Sequence, residues 1–463
     1  MKPIFSYLIL SLLLFLNPGC NQLRQGSSSD PTRDEFIDDL KIRTFNYFWE
    51  LADESTWQIP DRYPKKAFTS IAATGFGLAS YIVGIENDYI SRDEGAERVY
   101  NTLNWLWNSK QGSESEGITG YKGFYYHFLN YGSGTRHKTV ELSTIDKGFL
   151  IAGILACQSY FDNDIAIEKD IRALADSLFL RVEWDWAMNG QEHMSMGWHP
   201  EKGYIPAKWN GYNEAMILII MAMGSPTHPI HDTAWNSWCK TYQWADYYGY
   251  EHVNFTPLFG HQYSHIFIDF RGIHDNYMRE KGIDYFENSI RATLSNRAYC
   301  IDNPLGFRGY SSDIWGLTAC DGPGNTKQLM GQDTIQFRGY RTRGASSRNV
   351  VDDGTIAPTA AGGSVPFAPD YCIEALMSMK KQFGDSLYHD YGFKDAFNLT
   401  FQRENKDKPG WFDTDYIGID QGPTLLQIEN DQTGLVWNIM KKNKYIINGL
   451  KKAGFTGGWL EEL

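Results

Sequence analysis

An all-α fold, an (α/α)6 barrel, is what the sequence predicts, and three observations lead to it. Segments with apolar residues at helical spacing recur along the 463 residues, separated by Gly, Pro, Asn and Asp clusters. These segments are of two kinds, some amphipathic with one charged face and others small and apolar on nearly every side. A helix apolar all round must be buried all round, so their alternation fits an inner ring of helices wrapped by an outer one. A two-lobed helical array is the competing layout. No Pro-rich or charged linker divides the chain after about residue 34, which makes 34–463 one domain.

About a dozen helices are expected from this periodicity. In order, they begin with DEFIDDLKIRTFNYFWELAD from Asp34, SIAATGFGLASYIVGI from Ser70, DEGAERVYNTLNWLWN from Asp93 and STIDKGFLIAGILACQSYF from Ser143. KDIRALADSLFLRVEW from Lys169, the run from Asn213, TAWNSWCKTYQWADYY from Thr233 and YFENSIRATLSNRAYC from Tyr285 follow. PDYCIEALMSMKKQF from Pro369, GPTLLQIENDQTGLVWNIM from Gly422 and a last helix near Lys444 complete the series. The helices from Asp93 and Lys169 carry a charged face; those from Ser70, Ser143 and Asn213 do not.

The connections are uneven. Residues 111–141, 184–210, 248–262 and 301–368 are long, rich in Gly and aromatics, and poor in helical pattern, and long structured connections in a compact domain usually carry function. Tyr121, Phe124, Tyr125, Tyr126, Trp184, Trp186, Trp198, Trp209, Phe307, Tyr310 and Trp315 sit there among Asp, Arg, His and Asn. Such a mixture suits sugar rings, which stack C–H faces on π-systems and hydrogen-bond at their edges. For any one of these aromatics, packing a loop onto the barrel is an equally good account.

Composition closes off several classes. With 42% hydrophobic and 15% aromatic residues the chain can bury a large core, and a net charge of −13 lacks the basic stripe that nucleic acid needs. The first twenty residues, MKPIFSYLILSLLLFLNPGC, have a basic start, an apolar stretch too short to span a bilayer, and small residues before Cys20. That layout resembles a bacterial lipoprotein signal (1–20) with Cys20 as the lipidated N-terminus, although Leu16 lies one position further from Cys20 than that pattern places it. A flexible tether (21–33) follows. The expectation is an exported protein, periplasmic or anchored at the outer membrane by its lipid alone, and monomeric.

Five further cysteines give no disulfide framework. Cys157, Cys239 and Cys372 read as buried thiols; Cys300 and Cys320 flank a loop and are candidates for pairing, with free thiols weighed above it. There is no phosphate-binding loop, dinucleotide fingerprint, nucleophile elbow, paired C-x-x-C or calcium-loop pattern. His261 and His265 are four apart with His274 beyond, but the glutamate of H-E-x-x-H is missing, so a structural or substrate-contacting role outweighs a metal. No metal and no cofactor is expected.

What remains is carboxylates on apolar helices. Glu141 and Asp146 flank the start of the helix from Ser143, Glu214 heads the run after GYN, and Asp420 stands in IDQGP before another helix. An acid near a helix N-terminus is commonly just a dipole partner. Recurrence at the same end of successive inner helices would instead gather the acids at one mouth, and glycoside hydrolysis needs such a set: one protonated acid for the leaving oxygen and one carboxylate for water or the sugar. If Asn213 caps the helix, Glu214 falls in its first turn, where the dipole opposes the raised pKa of a general acid.

GYNEAM (211–216), IDQGP (419–423), STIDKGFLIAGIL from Ser143 and GWHPEKGY from Gly197 together resemble the bacterial glucoamylase-like domain of glycoside hydrolase family 144. The resemblance covers essentially everything after the tether. It implies an (α/α)6 barrel and hydrolysis of β-1,2-glucan with inversion, releasing sophorose or short β-1,2-gluco-oligosaccharides; with the lipoprotein signal it resembles the polysaccharide-utilisation systems of Bacteroidetes. Glu214, Asp146, Glu141 and Asp420 match its acidic motif positions. Glu214 is taken as general acid and Asp146 as the partner that activates water, with Glu141 and Asp420 in reserve. Trp198, His199, Trp209, Tyr212, Arg308, Trp315 and Asp321 are the expected sugar contacts from their loop positions. Two rivals remain open: a glycan-binding lipoprotein with no catalysis, and a polysaccharide lyase on a helical toroid using Tyr125, His127 and Arg136.

Overall fold

The computed structural model describes residues 32–402 and 410–462; the signal, Cys20 and most of the tether lie outside them. Helices dominate. Those that matter for the site are α1 (Arg33–Leu51), α2 (Ile71–Glu86), α3 (Arg92–Asn108), α4 (Thr144–Tyr160), α5 (Ala166–Leu180), α6 (Met216–Gly224), α7 (Tyr263–Phe267), α8 (Tyr285–Asp302), α9 (Pro369–Phe383), α10 (Gly418–Thr433), α11 (Leu435–Met440) and α12 (Lys444–Lys452). None among the described residues is long and apolar enough to cross a membrane.

Local chemistry sets the starts. Thr32 before α1 and Ser91 before α3 form full capping boxes with Glu35 and Glu94, while Ser70 and Ser143 cap α2 and α4 by accepting from the N–H of Ala73 and Asp146. Each satisfies donors that the first helical turn leaves orphaned.

The two kinds of helix separate as their sequences require. α2, α4, α6 and most of α10 are buried on all sides, whereas α3 and α5 bury one face only. Packing closes a circuit: α10 lies on α2, α2 on α4, α4 on α6, α6 on α7, and α7 back on α10. Outside it, α1 covers α2 and α10, α5 covers α4, α3 packs on α5, and α12 lies against α6. The α2–α4 contact is the tightest kind available. A Cβ on Gly75 would fall 2.3 Å from the Phe149 carbonyl oxygen, and one on Gly153 would fall 2.0 Å from that of Gly75; only glycine lets the two backbones meet. A second core, around Trp315, Leu317, Cys372 and Leu376, joins α1, α8 and α9 to the long connection.

The structure departs from the helical expectation in three places, and it gives the connection 301–368, expected to be poor in helix, a strand pattern of its own. The run from Thr233 is helical only over Ala234–Cys239 and then turns into an antiparallel hairpin, Trp244–Tyr247 with Tyr250–Val253. Tyr248 (φ 53°) and Gly249 (φ 82°) give the hairpin its two left-handed turn positions. The run from Gly422 starts four residues earlier and breaks at Gly434 (φ 68°), so α10 and α11 are separate and Asp420 sits in the first turn of α10, not ahead of it. The helix from Asn213 begins only at Met216. The connection 301–368 carries short antiparallel ribbons, among them Thr326–Met330 with Asp333–Phe337. All five described cysteines are free and buried; Cys300 and Cys320 do not pair.

Candidate active site

The N-terminal ends of α2, α4, α6, α7 and α10 converge on one cavity of about 440 Å³, lined from those ends by Ser70, Asp146, Glu214, Tyr263 and Asp420. Its size is in the range of small-ligand sites. The connections add Asp61, Arg62, His127, Phe128, Tyr340 and Asp395.

Glu214 stands just before α6. Asn213 does not cap that helix; its Oδ1 accepts from the Ala215 N–H at 3.0 Å. Ser264, from α7, completes the entry, donating to the Glu214 carbonyl oxygen at 2.8 Å and accepting from the Ile217 N–H at 3.1 Å. The side chain therefore precedes the helix, and the conflict expected from a first-turn position is relieved. Oε2 of Glu214 is buried with no hydrogen-bond partner. Burial pushes its carboxyl up to about 7, against a lowering hydrogen bond from its own backbone, and the charge of Asp146 adds to the rise.

Asp146 faces the cavity from the first turn of α4. The Ser143 hydroxyl donates to its Oδ2, and His127 Nε2 lies 3.5 Å from its Oδ1. The other ring nitrogen, Nδ1, meets Glu141 Oε1 at 2.8 Å. Burial alone would lower the imidazole, but Asp146 and Glu141 outweigh it and push His127 up to about 9. Glu141 is in turn held below its ordinary value, the His127 contact overcoming its burial. Glu141 thus stands behind His127 and is not among the residues lining the cavity.

Asp420 forms the opposite acidic group. It contacts Asp395, and burial raises both carboxyls: the charge of Asp420 adds to the rise at Asp395, while at Asp420 the charges of Asp321 and Asp61 add to it and the hydrogen bond with Asp395 opposes it. Arg62 is the local counter-charge, 3.0 Å from Asp61, 2.8 Å from Asp321 and 3.4 Å from Asp415.

None of the seven expected sugar contacts lines this cavity. Trp315 is fully buried in the second core, and Tyr212 is 1% exposed, packed on His261 and Tyr242. Trp209 is buried with its Nε1 donating to Thr144 Oγ1 at 2.8 Å, fixing the start of α4. These three rings offer no open face. Arg308 is exposed and lines a different cavity with Phe412, and Asp321 is tied to Arg62. Trp198 and His199 are half-buried on a strand paired with Leu142–Ser143, one step behind Asp146. The aromatic faces in the cavity are instead Phe68, Phe128, Phe149, Phe259, Tyr263 and Tyr340.

Sequence reasoning missed Asp61, Arg62 and Asp395, which stand alone in connections with no motif around them, and treated His127 only as a possible lyase base. Among the described residues, His261, His265 and His274 form no metal-type group: His261 contacts the Phe255 carbonyl oxygen and His265 the Ser289 hydroxyl. Two of the three lyase residues are committed elsewhere, while His127 lines the cavity. Arg136 is buried against Glu201 at 2.6 Å, and the Tyr125 hydroxyl donates to the Leu106 carbonyl.

A helix-rich fold that aims buried helix ends at a carboxylate-lined pocket is the class these features define. Residues 206–444 match the family model Glycoamylase, described as "Putative glucoamylase", and the chain belongs to this glucoamylase-like family, of the glycoside hydrolase family 144 type. It is 28% identical over 485 aligned positions to an exo β-1,2-glucooligosaccharide sophorohydrolase (non-reducing end) of Parabacteroides distasonis, across 96% of this chain and 61% of that protein. The chain therefore spans less than two thirds of that curated relative. A provisionally named glucoamylase of Bacteroides uniformis superposes with TM-score 0.81 at 34% identity, covering 94% of this chain and all of that one. An endo-β-1,2-glucanase of Chitinophaga pinensis, solved with sophorotriose and glucose, gives TM-score 0.79 at 30% identity over 93% of this chain and all of that one.

Proposed function

We propose that the protein hydrolyses β-1,2-glucan with inversion, releasing sophorose or short β-1,2-gluco-oligosaccharides. The observation that carries this is Glu214: a half-buried residue whose Oε2 is buried without a hydrogen-bond partner and whose carboxyl is pushed up to about 7, in the same cavity as Asp146. Held protonated near neutrality, Glu214 gives its proton to the glycosidic oxygen as the bond to the anomeric carbon breaks. Asp146, oriented by Ser143 and His127, takes a proton from the water that attacks the opposite face of the sugar. The Asp395–Asp420 pair is the reserve acid–base group, and Glu141 acts through His127.

The sophorohydrolase and endo-glucanase relatives support this substrate class. The closed circuit of buried helices, covered by α1, α3, α5 and α12, supports an (α/α)6 toroid over 34–463 as a single domain. Phe128, Phe259 and Tyr340 supply faces for the sugar ring, and Trp198 and His199 serve a longer chain beyond the cavity. An exported lipoprotein anchored through Cys20 and working as a monomer completes the reading. The lyase alternative has no free neutralising arginine at 136 and a cationic His127 in place of a base; a purely glycan-binding protein has no need of a raised carboxyl.

The test is incubation with β-1,2-glucan and, separately, with uronate polymers, following reducing ends and the ultraviolet absorbance of unsaturated products. Reducing ends from the glucan without unsaturation are expected. Binding of glucan with neither product would sink the proposal.

A further inference from the structure

At the edge of the catalytic cavity lies a second acidic group, of which the hydrolytic reading uses only Asp395, and that only in reserve. Asp321 follows the strand Ala319–Cys320, Asp395 precedes Phe397–Asn398, and Asp413 follows Trp411–Phe412. Three separate connections thus bring one oxygen each to within 4.8 Å of the others.

One oxygen of each carboxylate is already engaged. Arg62 Nη1 donates to Asp321 Oδ2 at 2.8 Å, the Asp321 N–H to Asp395 Oδ2 at 2.6 Å, and the N–H groups of Thr414 and Asp415 to Asp413 Oδ1 at 2.6 and 3.1 Å. The remaining oxygens of the two buried members, Asp395 Oδ1 and Asp413 Oδ2, meet no hydrogen-bond donor, in residues only 1% and 8% exposed. Buried acceptors without partners are rare and costly. Asp420 is in contact with Asp395 but does not reach Asp413 Oδ2, which meets no partner. Arg62 cannot neutralise the trio either, because Asp61 and Asp415 already share its guanidinium.

We propose that Asp321, Asp395 and Asp413 bind a hard divalent cation of calcium size. Calcium takes carboxylate oxygens at about 2.3–2.6 Å, so two ligands on opposite sides of the ion stand roughly 4.6–5.2 Å apart. Three oxygens mutually within 4.8 Å can share such an ion. Magnesium, with ligands at about 2.0–2.1 Å in a strict octahedron, would require the carboxylates to draw closer. All donors are oxygen, which disfavours zinc and copper. The ion would clamp three connections that wall the cavity, with water filling its other positions.

The test is titration of Ca²⁺ and, in parallel, Mg²⁺ into chelator-treated full-length protein at pH 7, read by calorimetry and thermal unfolding. One calcium per chain is expected, with Tm raised by roughly 2–5 °C at saturation. Asp413→Asn keeps the Oδ1 acceptor for Thr414 and Asp415 but removes the charge, and is expected to abolish both signals. Should that variant fail to fold, Asp321→Asn is expected to weaken binding at least tenfold. Absence of heat and of any Tm shift with either ion would overturn the site, as would undiminished binding in the folded variant. Stabilisation by Mg²⁺ alone would overturn the calcium assignment.

Discussion

At the scale of single residues the argument turns on Glu214. Replacing it by Gln keeps the shape and removes the donated proton, so reducing-end release from β-1,2-glucan is expected to fall by about 10²–10⁴-fold, the usual contribution of a positioned general acid. Full activity in the variant would exclude the assignment. The same residue predicts a falling limb in the pH profile: Glu214 must be protonated to act, and its carboxyl is pushed up to about 7 in the free protein, so kcat/KM declines as pH rises through that value. Stability follows the same sign. The folded state binds this proton more tightly than the unfolded chain, whose carboxyl titrates near 4.5, so the associated stability is complete below about 4.5 and is lost as pH rises through about 7. That amounts to at most about 3 kcal/mol, and Glu214→Gln escapes it. The Tm of the variant relative to the native protein should therefore rise between pH 5 and pH 8; a constant difference would contradict the buried-acid reading. Glu214 was legible in the sequence because a lone charge before nine consecutive helical apolar and glycine residues needs an explanation. Asp395 and Asp61 were not, because an isolated aspartate in a connection reaches the cavity only through tertiary packing.

At the scale of elements, what could be read was whatever depends on neighbours in the chain. Ser70 and Ser143 announced the starts of α2 and α4, and the structure caps both helices with them. The first strand of the hairpin, 244–247, was read as the end of a helix because its aromatics also satisfy helical spacing, while 248–262 was read as a connection; the deciding feature is the backbone of Tyr248–Gly249. The sugar contacts failed for a similar reason. Aromatic residues in a long loop read alike whether they face a ligand or a core, and Trp315, Trp209 and Tyr212 face the core. The α2–α4 crossing gives this level its own prediction. Gly153→Ala places a methyl group 2.0 Å from the Gly75 carbonyl oxygen, so the helices must separate, at a cost of about 1–3 kcal/mol or more. Urea unfolding should show a lower midpoint. Because both N-terminal ends carry cavity residues, kcat should fall as well; an unchanged midpoint would mean the crossing is looser than its backbone contact implies.

At the scale of the whole molecule, the converging helix ends decide what kind of chemistry the protein can do. Asp146 and Glu214 come from consecutive members of the buried circuit and both line the cavity, so a sugar bound there meets both carboxyl groups. A carboxyl that protonates the leaving oxygen and a carboxylate that activates water across the ring produce inversion, whereas a carboxylate close enough to attack carbon would produce retention. Proton nuclear magnetic resonance during the first minutes of β-1,2-glucan cleavage distinguishes them, since the linkage is β and the new reducing end must be α if water attacks from the opposite face. An initial excess of the α-anomer, relaxing later to the mutarotation equilibrium, is expected. The net charge of −13 adds a condition, because a neutral glucan gains nothing from electrostatic steering while a uronate polymer is repelled. The cleavage rate should accordingly change little between low and high salt. A first-formed β-anomer would require one of the two carboxylates to act as nucleophile, and the roles of Asp146 and of the Asp395–Asp420 pair would then have to be exchanged.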